Sequence, residues 1–234
     1  MRSISWLFAV PRKHNAALWF LSGGTDVRWR IGIDFDNTIV RYDKVFLAAA
    51  RERRLVSEDF AGNKRAIRDV MRRLPDGELE WQRLQGYVYG IGIADAVMFE
   101  GLDGFLHRCR AEGHAVLIIS HKTEYGHLDP ERVNLRQAAF SWMTARRFFC
   151  DDGYGIPVEH VFFETTRVEK LQRIADCACT HFIDDLEEVL SDAAFPSTVT
   201  GILFADRSID SEASPYIVCP TWRHIEAVLF NEDL

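Results

Sequence analysis

The chain has 234 residues, of which 47% are hydrophobic and 27% are charged, so it is long enough and apolar enough to bury a sizeable core. This composition excludes an intrinsically disordered chain, and the length suits one large domain or a core domain with an insertion. The formal net charge of -7 gives no general attraction to nucleic acid or to an anionic membrane, and we expect neither as a partner.

The first 28 residues are expected to form an N-terminal extension that is poorly ordered. Their apolar stretch is interrupted by Pro11, Arg12 and Lys13, which leaves it too short to span a bilayer. No small-residue cleavage site closes a continuous apolar core, so the segment resembles a secretory signal poorly. The five cysteines lack paired zinc spacing and favour a reducing compartment, which predicts a cytoplasmic location. The sequence carries no signal for the oligomeric state.

Apolar runs in the rest of the chain predict β-strands. They are VRWRIGIDF at 27–35, HAVLIIS at 114–120, HVFF at 160–163, THFID at 180–184, VTGILFA at 199–205 and YIVC at 216–219. Most are separated by helical patterns, such as GLDGFLHRCRAEG, RVNLRQAAFSWMTARRFF and RVEKLQRIADCA. This alternation predicts an α/β fold in which a Rossmann-like, mainly parallel sheet carries helices on both faces.

The interval between Asp36 and Ser120 is too long for a simple crossover between two strands. Residues 41–98 read as a small helical cap inserted into a core domain that comprises 29–40 and 99–234. The helical patterns in the insertion are DKVFLAAARERR, NKRAIRDVMRRL and ELEWQRLQGYVYGIG, and Asn63 is expected to cap the second of them.

Two features of the insertion allow either a structural or a functional interpretation. Residues 41–75 contain ten Lys or Arg and five Asp or Glu, a net of +5, which either attracts an anionic substrate or forms a solvated helix face. Trp81, Tyr87 and Tyr89 either stack on a substrate or pack inside the insertion. Substrate choice is expected to depend on this segment.

Polar residues follow several of the predicted strands. In open α/β sheets ligands bind beyond the carboxyl ends of the strands, so we expect these side chains to meet there. They are Asp34 and Asp36 after the first strand, Ser120 after the second, Lys170 at the start of a later helix, and Asp184 with Asp185 after the fourth strand. Together they suit phosphoryl transfer.

The chemistry of these residue types explains that assignment. Carboxylates are hard oxygen ligands suited to Mg²⁺, which also relieves the repulsion between Asp34 and Asp36. A carboxylate nucleophile divides hydrolysis into formation and breakdown of an aspartyl-phosphate, and Asp36 could exchange the proton. Ser120 and Lys170 offer a hydroxyl and a positive charge to the phosphate. His121 and Lys122 either contact the substrate or form a solvated loop, and Thr38 is expected to hydrogen-bond the local backbone.

The motifs resemble the haloacid dehalogenase-like superfamily, in its phosphatase branch. DFDNT matches the first motif of that family, VLIIS the second, Lys170 in RVEKLQRI the third and HFIDDLEEVL the acidic fourth. The resemblance covers about residues 34–205, with the insertion where that family places its first type of cap. Asp36 argues against the dehalogenase and phosphonate-cleaving members, which carry another residue at that position.

The resemblance also implies roles for individual residues. Asp34 would be the nucleophile, and Asp36 the acid and base that also gives its backbone carbonyl to Mg²⁺. Asp185 is favoured as the direct metal ligand with Asp184 behind it, although the reverse order is open. The further outer acid of the family is missing, because Val189 and Leu190 stand in its place, unless Asp184 or Glu188 substitutes.

These observations predict a Mg²⁺-dependent phosphatase that acts on a small phosphomonoester, with a sugar phosphate or similar metabolite favoured. A phosphotransferase, a mutase or a 5′-nucleotidase would use the same residues. A different class of protein, a ligand-binding or partner-binding module with the same fold and no catalysis, predicts loss of at least one of the chemical residues, and all of them are present.

Overall fold

The computed structural model of the chain describes residues 29–126, 128, 131–206 and 214–230. The prediction of a poorly ordered extension over 1–28 lies outside the described residues. None of the helices within these ranges is long and apolar enough to cross a membrane.

Six parallel strands form the central sheet. Eight strands are described in all: β1 Arg30–Ile33, β2 Val40–Arg41, β3 Val97–Met98, β4 Ala115–His121, β5 Val161–Glu164, β6 His181–Asp184, β7 Thr200–Phe204 and β8 Tyr216–Cys219. The sheet order is β5-β4-β1-β6-β7-β8, and every neighbouring pair is parallel. The predicted Rossmann-like α/β fold is confirmed, with β1 in the interior of the sheet.

The helices lie between the strands in the sequence, as the periodicity predicts. They are α1 Asp43–Glu52, α2 Lys64–Met71, α3 Gly77–Tyr89, α4 Leu102–Ala111, α5 Leu135–Ala145, α6 Arg167–Asp176, α7 Glu187–Leu190 and α8 Trp222–Phe230. A short 3₁₀ helix covers Ile91–Asp95. The Asn63 side chain accepts a hydrogen bond from the Ala66 backbone N–H at 3.0 Å, so the predicted cap of α2 is confirmed.

Both faces of the sheet are buried, and strand β4 shows why its sequence is continuously apolar. Val116 and Ile118 belong to one hydrophobic core, while Leu117 and Ile119 belong to a second core on the opposite face. Successive side chains of a strand point to opposite faces, so a strand covered on both sides needs an apolar residue at every position. The same burial fixes the strand ends that carry the polar residues.

Gly32 of β1 packs closely against the side chains of Phe182 on β6 and of Cys179. A Cβ added at Gly32 would stand 2.6 Å from the Phe182 ring and 3.1 Å from the Cys179 sulfur. Only glycine fits this gap without moving a buried aromatic ring. The backbone N–H of Asp34 then donates to the Ile183 carbonyl at 2.9 Å, which places the first candidate carboxylate beside the end of β6.

Helices α1 to α3 occupy the interval between β2 and β3. The chain leaves at Val40 and returns at Met98, and these two residues pair in the antiparallel β2–β3 ribbon. Trp81 is buried and stacks on Phe46 with ring centroids 5.3 Å apart, so it packs inside the helical segment. Helix α3 packs against α1, α2 and α5.

Candidate active site

A cavity of about 610 Å³ lies at the carboxyl ends of β1, β4 and β6. Five of the six predicted site residues line it, and the sixth, Asp184, is fully buried behind them. The lining residues from the sheet side are Asp34, Asp36, Asn37, Ser120, His121, Lys122, Arg167, Lys170, Asp185 and Glu188. The structure therefore brings together side chains that lie up to about 150 positions apart in the sequence.

The turn after β1 directs both motif aspartates into this cavity. Asn37 has a φ of 62°, in the left-handed region that asparagine tolerates better than most residues. Its backbone N–H donates to the Val40 carbonyl at 2.9 Å, and the chain reverses directly after Asp36. Asp34 and Asp36 therefore line one cavity even though β1 itself ends at Ile33.

Lys170 joins the carboxylates of two different strand ends. Its Nζ donates to Asp34 Oδ1 and to Asp184 Oδ2, each at 2.6 Å, and all three side chains are almost fully buried. Helix α6 begins with a capping box in which Thr166 accepts from the Glu169 backbone N–H at 3.1 Å. This cap fixes the first turn of the helix and thereby the position of Lys170.

Three carboxylates form a cluster beside that lysine. Asp34, Asp184 and Asp185 each offer one oxygen, and these oxygens lie within 4.8 Å of one another. Burial raises the pKa of Asp34 to about 6, although the Lys170 charge lowers it. Burial and the charges of Asp34 and Asp184 raise the pKa of Asp185 well above its usual range. Burial alone would lower the pKa of Lys170, but the two carboxylates that it contacts raise it.

The two adjacent aspartates of the fourth motif differ in their surroundings. Asp184 accepts from Lys170 and from the Leu186 backbone N–H, so both of its oxygens are engaged. Asp185 lines the cavity, and in the described part of the chain its carboxylate forms no hydrogen bond or ion pair. Asp185 is thus the better placed of the two to ligate a metal ion.

Asp36 is held by two donors that sequence reasoning did not assign to the site. The Tyr42 hydroxyl donates to Asp36 Oδ1 at 2.6 Å, and the Lys122 Nζ donates to Oδ2 at 2.7 Å. Lys122 is only 3% exposed, so it is not part of a solvated loop. Strand alternation could have placed it at the cavity, because Lys122 follows Ser120 by two positions, just after the end of β4, and both residues line the cavity.

Two buried hydroxyls of the predicted motifs, those of Ser120 and Thr38, have no hydrogen-bond partner among the described residues. Ser120 Oγ is buried and unpartnered although Ser120 lines the cavity, so its donor is available to a ligand. Thr38 Oγ1 is also unpartnered, so the expected hydrogen bond from this hydroxyl to the local backbone is not formed. The Thr38 carbonyl instead accepts from the Trp222 indole N–H at 3.2 Å, which ties the turn to α8.

The chain is similar in structure to several solved proteins. A candidate phosphatase from Clostridium difficile gives a TM-score of 0.55 at 14% identity, over 88% of this chain and 100% of that chain. A haloacid dehalogenase-like hydrolase from Streptococcus pneumoniae gives 0.53 at 11% identity, over 87% and 98%. A hydrolase of the same superfamily from Geobacter sulfurreducens gives 0.51 at 14% identity, over 86% and 96%. The chain has the haloacid dehalogenase-like fold.

This likeness concerns the fold and not the reaction. A protein described as a dehalogenase matches with a TM-score of 0.53 at 12% identity, so neighbours of both reaction types share the fold. No family model and no curated protein matches this chain. The fold by itself therefore does not assign a reaction to this chain.

The opposite wall of the cavity comes from the helices between β2 and β3. Lys64 on α2 and Gln82, Gln85 and Tyr89 on α3 line it. The Lys64 Nζ donates to the Tyr89 hydroxyl at 2.7 Å, and the Tyr89 ring packs edge-on against Tyr42 with centroids 4.9 Å apart. Of the aromatic residues considered for substrate contact, Tyr89 lies at the cavity and Trp81 does not.

Proposed function

We propose that this chain is a Mg²⁺-dependent phosphatase that hydrolyses a small phosphomonoester through a phospho-Asp34 intermediate. The observation that carries the proposal is the buried, unpartnered Ser120 hydroxyl in the same cavity as the Lys170–Asp34 pair. A buried donor without a partner costs about 1–3 kcal/mol, which a phosphate oxygen would recover. The structural neighbours described as hydrolases support hydrolysis as the reaction class.

The carboxylate cluster fits a magnesium ion. Asp34 and Asp185 offer oxygens on the cavity side. Burial, with a smaller contribution from the neighbouring carboxylates, raises the pKa of each carboxyl, and a divalent cation would stabilise the ionised forms. Asp184 would hold its place behind them, and Asp36 would contribute its backbone carbonyl. When bound, the ion would neutralise the phosphate and the nucleophile so that two anions can approach.

In the first step, an oxygen of Asp34 attacks phosphorus, and the bond between phosphorus and the leaving oxygen breaks. Lys170 fixes the orientation of Asp34 through the 2.6 Å contact to its other oxygen. Ser120 donates to a phosphate oxygen. The leaving oxygen takes a proton from the Asp36 carboxyl, which must exchange its contact with Lys122 for one with the substrate.

In the second step, Asp36 accepts a proton from a water molecule whose oxygen attacks the phosphorus of phospho-Asp34. The bond between phosphorus and Asp34 breaks, and the free carboxylate and inorganic phosphate result. Tyr42 and Lys122 stabilise the negative charge of Asp36 after it has lost its proton in the first step. The same two donors hold the carboxylate at a fixed position between the steps.

The division of the chain follows from where the cavity walls originate. We assign residues 29–40 and 99–234 to an α/β core that holds the phosphate site, and 41–98 to a helical cap. Support comes from the antiparallel Val40–Met98 pair at the point where the chain leaves and rejoins the core. The cap would exclude water from the cavity and choose the leaving group, and a sugar phosphate or similar metabolite remains our first choice.

A cytoplasmic location and a small phosphorylated substrate are part of the same proposal. All five cysteines are free, three of them buried, which suits a reducing compartment.

The test is phosphate release from a panel of phosphorylated sugars, nucleotides and other metabolites, with Mg²⁺ or with EDTA. Wild type is compared with Asp34→Asn, and with Asp95→Asn as a matched control whose carboxylate is exposed and lies outside the cavity. We expect metal-dependent turnover that Asp34→Asn abolishes and Asp95→Asn leaves intact. Rapid quench with ³²P-labelled substrate should trap acid-stable label on the wild type and on Asp95→Asn, and none on Asp34→Asn.

Two results would contradict the proposal. Turnover that survives in Asp34→Asn would exclude the covalent route. The absence of turnover over the whole panel, with the protein folded, would favour phosphotransfer to another acceptor or a binding module.

A further inference from the structure

Four lysine or arginine side chains line the cavity, and they differ in their partners. They are Lys64, Lys122, Arg167 and Lys170. Three of these cations are paired with carboxylates at N–O distances of 2.6 to 3.7 Å. Each of these three cations already has a carboxylate partner, and a ligand would have to compete with that carboxylate for it.

Lys64 is the exception. Its Nζ donates to the neutral Tyr89 hydroxyl at 2.7 Å, and no carboxylate of the described residues forms an ion pair with it within 4.0 Å. An ammonium group has three donors, and this contact uses one of them. Lys64 is half-buried and lines the cavity, where water or a ligand can accept hydrogen bonds from the remaining donors.

Lys64 belongs to a different part of the fold from the residues of the candidate phosphate site. It is the first residue of α2, on the cap side, while Ser120 and Lys170 belong to the core. Gln82 and Gln85 line the same wall from α3, three residues apart and hence on one helix face. This wall offers polar donors and one positive charge to whatever part of the ligand lies opposite the phosphate.

We propose that Lys64, with Gln82 and Gln85 beside it, binds a second anionic group on the leaving-group side of the substrate. This inference rests on the proposed phosphatase function, because it takes the phosphate site as one end of the ligand. The substrate class is then a phosphomonoester that also carries a carboxylate or a second phosphate. A cavity of about 610 Å³ accommodates such a compact dianionic or bisphosphorylated molecule.

The experiment uses three ligands with the same three-carbon frame. 3-Phosphoglycerate carries a carboxylate, glycerol 1,3-bisphosphate carries a second phosphate, and glycerol 3-phosphate has a neutral hydroxyl at that end. We measure kcat/KM with Mg²⁺, and we measure Kd by calorimetry on the Asp34→Asn protein. The calorimetric arm reads binding even if no ligand is turned over.

The variants are Lys64→Met, which keeps the length of the side chain, and Lys64→Arg, which keeps the charge. Arg65→Met on the adjacent exposed position is the control. Wild type should prefer at least one anionic ligand over glycerol 3-phosphate by about 10- to 100-fold, the range of a hydrogen bond to a charged group. Lys64→Met should remove that preference without changing the neutral ligand, and Lys64→Arg should retain it. The anionic ligand with the higher kcat/KM and the lower Kd shows whether the substrate carries a carboxylate or a second phosphate.

The inference is overturned if wild type binds all three ligands equally, a result that needs no variant to fold. It is also overturned if Lys64→Met weakens anionic and neutral ligands by the same factor. A different result would contradict the proposed phosphatase function: none of the ligands is hydrolysed, whatever the order of their Kd values. Turnover without a charge preference would leave the phosphatase and remove the second anion site.

Discussion

The buried cation in the carboxylate cluster can be removed by Lys170→Met, which keeps the length of the side chain. In the wild type, Nζ lies 2.6 Å from Asp34 Oδ1 and 2.6 Å from Asp184 Oδ2, and all three groups are at most 4% exposed. Removing one partner of a buried ion pair costs about 3–5 kcal/mol, because the remaining charges are left without compensation. That is a large part of the 5–15 kcal/mol by which a native domain is typically stable.

The pH dependence separates loss of charge from loss of packing. The pKa of Asp34 is already raised to about 6 in the folded protein, above its unfolded value. A carboxyl with a raised pKa contributes stability that is present below the unfolded pKa and lost as the pH rises through the folded pKa. Without Lys170 the pKa rises further, so the deficit of the variant should be large at pH 7.5 and smaller at pH 5.

The assay is urea unfolding monitored by tryptophan fluorescence at both pH values, with Mg²⁺ or with EDTA. At pH 7.5 without metal the midpoint should fall by about 1–2 M, and Mg²⁺ should recover part of the loss. Lys44→Met, at an exposed position on α1, should change neither the urea midpoint nor the effect of Mg²⁺ on it. An equal deficit at pH 5 and pH 7.5 that Mg²⁺ does not alter would show that Lys170 stabilises by packing alone, and the electrostatic reasoning would be wrong.

Three further changes test the same structure. In EDTA at pH 7.5, Asp185→Asn should raise the melting temperature by about 2–4 °C, since it removes a carboxyl with a raised pKa, and Mg²⁺ should then add nothing by scanning fluorimetry. Thr166→Ala should cost about 1 kcal/mol in urea unfolding because the α6 cap is lost, and Thr166→Ser should restore it. Gly32→Ala should lower the free energy of unfolding by about 1–3 kcal/mol, because the added methyl group meets the Phe182 ring. Gly104→Ala has open space around it and should raise the free energy of unfolding by up to about 1 kcal/mol.

Local sequence patterns were sufficient to predict most of the fold. The continuous apolar run through Val116 and Ile119 identified a strand buried on both faces, and Asn63 identified the start of α2. Each of these signals depends on residues within one or two turns or one strand. The helices between β2 and β3 were predicted for a related reason, since the interval is longer than a crossover between two strands requires.

The assignment of single side chains to the site depended on partners that are distant in sequence. The sequence left the order of Asp184 and Asp185 open, and the difference arises because Lys170 engages Asp184. It left Lys122 as either a loop residue or a contact, and the structure buries it against Asp36, 86 positions away. Strand alternation could have placed Lys122 at the cavity, but not its pairing with Asp36, because the two residues meet only after β1 and β4 are aligned.

The sequence by itself determined the alternation of strands and helices. It also determined which elements carry the carboxylates, the hydroxyl and the lysine of the site. Both follow from periodicity and motif spacing, which are properties of neighbouring residues. Only the tertiary structure decided which charges are balanced inside the protein. Lys170 and Lys122 have carboxylate partners, while Lys64 faces the cavity with a neutral one. Ion pairing depends on distances of a few ångströms between elements far apart in the chain, and packing of the whole domain sets those distances.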